Sequence, residues 1–153
     1  MKKIFLIFFV WVFINIPLLP QNWTMSETLS IEDDPALYIG FSLEELIGEF
    51  GIPRSVYPVR GLVEWDDDVV FVYDEGDFYI IKDRVWQLGL SSAYLIQVGD
   101  SRPTVLLRFG QAINYGEEFV IYSLGGYSWP IALRFNFDSA GRVTAIFVYR
   151  SDI

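Results

Sequence analysis

The sequence, 153 residues long, contains no cysteine and no histidine. The first absence excludes disulfides, thiol nucleophiles and zinc–thiolate sites; the second excludes histidine-based triads and histidine metal ligands. Cationic side chains are also scarce. Lysine and arginine total 11 against 20 acids, for a formal net charge of −9. Loss of Lys2 and Lys3 with an N-terminal segment would take −9 to −11 and leave Lys82 and eight arginines. Such a surface repels phosphate backbones and anionic lipid, so nucleic acid is not an expected partner. Serine catalysis would lack a base other than Lys82 or a carboxylate. No cofactor, metal or catalytic residue is expected, and the chain reads as a non-enzyme.

What is abundant is apolar and aromatic: 52% hydrophobic and 18% aromatic residues, enough for a core without covalent staples. Residues 1–24 place Lys2 and Lys3 before an apolar run, Ile4 to Leu19. That is the pattern of a secretory signal, with an uncleaved membrane anchor as the alternative fate. The expected location is periplasmic or secreted, in a bacterial cell envelope, with membrane contact only through an uncleaved N-terminus. Residues 25–37 read as an exposed acidic leader in which Glu32, Asp33 and Asp34 are solvated. Asn22-Trp23-Thr24 matches a glycosylation sequon at the expected cleavage point.

The rest divides by an internal echo. Gly40 and Phe50-Gly51 recur 59 positions later as Gly99 and Phe109-Gly110. Ser42 with Glu45 forms a capping-box pattern, and Leu43, Leu46, Ile47 and Phe50 make one apolar stripe, predicting a helix over 38–51 that Gly51 and Pro53 stop. Ser101 and Pro103 open a second, shorter or more frayed helix. Strand patterns follow each. Phe78-Tyr79-Ile80-Ile81 and Val85 to Leu90 sit between turn signals, and Ile131, Leu133, Phe135 and Phe137 alternate with Ala132, Arg134 and Asn136. Residues 91–98 read as a connector. The expected fold class is α+β, with two tandem units of a short helix followed by an antiparallel β-meander, residues 38–90 and 91–153. They would form one combined domain with the helices on one face of the sheet.

A repeated helix, Phe-Gly stop and meander, carried by Gly40, Leu46, Phe50, Gly51 and Pro53 and by Gly99, Val105, Phe109 and Gly110, resembles the β-lactamase inhibitor protein fold. It is also similar to BamE-type (SmpA/OmlA) envelope domains, which have one such unit. The resemblance implies a sheet with one face covered by helices, the other open, and an extracytoplasmic setting. It does not imply β-lactamase inhibition, since the cysteine-free chain has none of that family's disulfides.

Function then rests on the open face. The leading expectation is a non-catalytic protein-binding module that uses aromatic residues there. Trp65, Tyr79, Trp86, Tyr122, Tyr127 and Trp129 are its candidates, with packing in the core as the competing role for each. The alternatives are a membrane-anchored envelope scaffold and a carboxylate-dependent hydrolase, which needs two acids across a cleft. Glu64 with Asp66-Asp67-Asp68, and Asp74-Glu75-Gly76-Asp77, are the densest acids; they read as solvated turns, with calcium as the functional alternative.

Overall fold

The computed structural model describes residues 30–60 and 68–153. The signal or anchor segment, Trp65, Glu64, Asp66 and Asp67 lie outside the described residues. A 3-10 turn, Pro35–Tyr38, precedes helix α1, Leu43–Phe50. The capping box forms as the sequence dictates. Ser42 Oγ accepts from the Glu45 N–H at 3.2 Å, and the Glu45 carboxylate accepts from the Ser42 N–H at 2.7 Å. These bonds hold the Glu45 carboxyl below the usual carboxylate range. Helix α2, Arg102–Phe109, has the same eight-residue length, so it is not the shorter one. Its Ser101 Oγ accepts from Thr104 N–H at 3.4 Å, and no acid stands at the reciprocal position. Both helices stop at glycines with positive φ, Gly51 (76°) and Gly110 (72°). Ser42→Ala should therefore cost about 1 kcal/mol of unfolding free energy in a urea titration, and Ser101→Ala distinctly less.

Ten strands follow from the turn chemistry: β1 (Ser55–Val59), β2 (Asp68–Val72), β3 (Asp77–Ile81), β4 (Arg84–Leu90), β5 (Ser92–Ala93), β6 (Ile96–Gln97), β7 (Asn114–Tyr115), β8 (Phe119–Leu124), β9 (Ile131–Phe137) and β10 (Val143–Arg150). Eight of them form one antiparallel sheet in the order β1-β2-β3-β4-β10-β9-β8-β7. The molecule is thus α+β, with two helices and a large antiparallel sheet. The expected division into two tandem helix-plus-meander units gives way to this single sheet. The outer edge of β4 would otherwise leave its N–H and C=O groups unpaired, and it is closed by β10 through Leu90↔Ile146, Leu88↔Val148 and Gln87↔Tyr149. The two strands begin alike: Val85 O accepts from Gly40 N–H and Val143 O from Gly99 N–H, both at 2.8 Å.

Leu46 of α1 and Val105 of α2, both fully buried, belong to one core with the inner face of the sheet: Phe78, Val85, Leu88, Val120, Leu133, Phe135, Ile146 and Val148. Two parts of this core were not legible as such. Residues 91–98 are a hairpin, β5–β6, whose turn residues Tyr94 and Leu95 have φ of 52° and 67°, and whose Ala93 and Ile96 are buried. The end of the acidic leader is docked rather than exposed. Ile31, Pro35 and Ala36 are buried, because three apolar side chains in six residues find a place beside the hairpin, where Tyr94 N–H donates to Glu32 O at 2.7 Å.

Candidate functional site: the outer face of the sheet

The strand register fixes which side chains share the face turned away from the helices. One row across the sheet reads Ser55, Val72, Asp77, Gly89, Phe147, Arg134, Ile121, Asn114 from β1 to β7. The row beside it reads Tyr57, Val70, Tyr79, Gln87, Tyr149, Ala132, Ser123. A β-bulge between β3 and β4 inserts Trp86 next to Gln87, so that the indole reaches this face as well. Its ring meets Tyr79 edge-on at 6.5 Å, and its Nε1–H donates to Asp68 Oδ1 at 3.2 Å. Val70 and Ala132 are buried hydrophobics outside the main core, on the floor of this second surface.

Two adjoining grooves run over these rows and share Phe147. One, of about 340 Å³, is lined by Trp86, Gln87, Arg134, Asn136 and Tyr149. The other, of about 400 Å³, holds Asp77, Tyr79, Gly89, Thr144 and Ala145. Arg134 is held in place: its Nε–H donates to Asn136 Oδ1 at 2.7 Å and its guanidinium lies 4.8 Å from the Phe119 ring centre. The Asp77 carboxylate makes no hydrogen bond or ion pair among the described residues, and burial raises its pKa above the usual value. Burial likewise raises the Tyr79 phenol, with the charges at Asp77 and Asp68 adding to it. The face combines aromatic walls, a fixed guanidinium and a poorly solvated carboxylate, which is a surface for polar-and-aromatic contact. Among the described residues, no group of three or more acids converges to hold a metal ion.

No protein-family model matches the chain, and no curated protein does. Solved structures do. An extracellular protein containing an SCP domain, from Bacillus anthracis, is 12% identical, with a TM-score of 0.49 over 79% of this chain and 47% of that chain. A cysteine-rich secretory protein from Staphylococcus aureus is 13% identical, with a TM-score of 0.45 over 76% and 46%. The chain spans about half the length of these structures. The resemblance to the β-lactamase inhibitor protein and to BamE-type domains is not borne out: the long strands form one continuous eight-stranded sheet and not two tandem helix-plus-meander units. A helix ending in Phe-Gly before strands is too common a local pattern to have carried that assignment.

The six aromatic candidates separate. Tyr79 and Trp86 stand half-buried on the outer face. Tyr122 is in the core, 4% exposed, between the rings of Phe109 and Phe135. Tyr127 is half-buried and donates its hydroxyl to Asp34 at 2.6 Å. Trp129 is exposed beyond the start of β9, stacked under the Arg150 guanidinium at 3.9 Å. Trp65 lies outside the described residues. The sequence reading missed Phe147, Tyr149, Arg134, Gln87, Asp77 and Gly89. The signal in β10 was its alternation: Ile146 and Val148 inward, Phe147 and Tyr149 outward.

Asp34 was read as solvated, and it is instead shared by two phenols. Tyr94 donates to its Oδ1 at 3.0 Å and Tyr127 to the same atom. Burial, the hydrogen bond from Tyr127 and the Asp34 charge together push the Tyr94 phenol far above its ordinary range. This cluster fastens the leader to the hairpin and to the loop before β9; it stands on the helix side and opens onto no groove of the outer face.

Proposed function

We propose that the chain is a secreted, non-catalytic protein-binding module whose contact surface is the outer face of the sheet. The observation that carries this reading is the pair of grooves over Trp86, Tyr149, Phe147 and Arg134 on a face that no helix packs against. Tryptophan, tyrosine and arginine are the side chains that dominate protein contact energies. The N-terminal run of lysines and apolar residues supports export, and no helix among the described residues is long and apolar enough to cross a membrane. The scarcity of bases and the absence of histidine and cysteine support a role without catalysis.

The test is capture of a partner from envelope and culture extracts by the exported chain, beside a Trp86→Ala, Tyr149→Ala double variant. We expect at least about a tenfold loss of capture in the variant. Gln87→Arg, which changes the same face without touching the core, should reduce capture in parallel. Undiminished capture by both folded variants would sink the proposal.

A further inference from the structure

The outer face is complementary to itself. We infer that it pairs with a second copy of this chain, face to face, about a twofold axis parallel to the strands and passing between β4 and β10; this rests on the reading of that face as a protein-binding surface. Such an axis reverses each row of side chains in the partner. In the first row, Asp77 of one copy then meets Arg134 of the other, and Gly89 meets Phe147. Further out, Val72 meets Ile121 and Ser55 meets Asn114. In the second row, Gln87 meets Tyr149, Tyr79 meets Ala132 and Val70 meets Ser123.

Charge faces opposite charge at Asp77 and Arg134, and apolar faces apolar at Val72 and Ile121. Asp77 and Arg134 stand three strands apart, about 14 Å at the usual strand spacing, so two ion pairs form at once, one on each side of the axis. Neither side chain is paired with an opposite charge among the described residues. Asp77 makes no ion pair among the described residues, and Arg134 gives only its Nε–H to a neutral amide. Aligned sheets packed face to face lie about 10 Å apart, a gap that an aspartate from one side and an arginine from the other can close.

The experiment is sedimentation velocity on the full chain, purified from exporting cells, over roughly a 100-fold concentration range at about 0.15 M salt. The native chain should dimerise. Asp77→Arg and Arg134→Asp should each raise the dimer dissociation constant by about 100-fold or more, because like charges then face each other twice. An equimolar mixture of the two variants should recover the dimer, since each mutant charge meets its opposite. Gly89→Ala adds a methyl group to the face beside the axis. An added Cβ there makes ordinary contacts of 3.5–3.6 Å with Phe147, Asp77 and Tyr79, so the fold should persist while the dimer weakens. Circular dichroism and unchanged Tm confirm folding. A native chain that sediments as a monomer throughout overturns the inference, as does a mixture that fails to recover association. If that monomer still captures another protein through Trp86 and Tyr149, the second copy is excluded while the binding-module reading stands.

Discussion

Phe135→Ala should lower the unfolding free energy by about 3–5 kcal/mol, the range for removing a fully buried phenylalanine ring. Phe135 is 0% exposed in the middle of β9, and its ring lies 5.4 Å from that of Phe109 at the end of α2 and 6.3 Å from that of Tyr122 in β8. Three elements close around it, so the cavity has little freedom to collapse. Phe119→Ala, on the opposite face of the same sheet beneath the Arg134 guanidinium, should cost much less. Urea unfolding of the two variants checks the assignment of faces. Similar losses from both would mean that the outer face is as closely packed as the inner one.

Asp34→Ala should cost about 2–4 kcal/mol, because it strips two phenol hydroxyls of their acceptor in partly buried surroundings. Asp34→Asn, which keeps an acceptor oxygen, should cost less. Absorbance titration adds a second reading. In the native chain the Tyr94 phenol is raised by burial, by Tyr127 and by the Asp34 charge; without that charge it should titrate earlier. The sign for stability follows from linkage. A phenol whose folded pKa is raised contributes stability that is full below its unfolded value, about 10, and is lost as pH rises above it. Alkaline unfolding should accordingly be less steep in Asp34→Asn. Equal stability of native and Asp34→Ala chains would show that the leader is not fastened through this carboxylate.

Local chemistry was legible in the sequence, and tertiary chemistry was not. Ser42 with Glu45, and the stops at Gly51 and Gly110, are decided within a few residues, and the structure keeps them. The alternation in Ile131–Phe137 marked its inner face because Arg134 and Asn136 are polar. In Arg84–Leu90 no such contrast exists, and the bulge at Trp86 breaks the period of two, so the side taken by Trp86 could not be read. The Tyr94-Leu95 turn was invisible because turns with two positive φ values are normally announced by glycine or asparagine. Asp34 looked solvated because its two partners lie 60 and 93 positions away. The merger of all the long strands into one sheet depends on the single contact line between β4 and β10, and nothing local to either strand encodes it.

That line has a consequence for how the chain is made. Synthesis proceeds from the N-terminus, and β1 to β4 can pair as soon as residue 90 is out, each with its neighbour in sequence. On the free side of β4, Val85 and Arg84 are taken by residues 40–42, but Gln87 to Leu90 have no partner until residues 143–150 follow. For that interval the nascent chain presents a short unpaired edge, Gln87 to Leu90, of the kind that recruits other strands. A message truncated between these two points should therefore yield aggregate rather than a stable half, and slow passage through export should favour any chaperone that shields extended apolar segments.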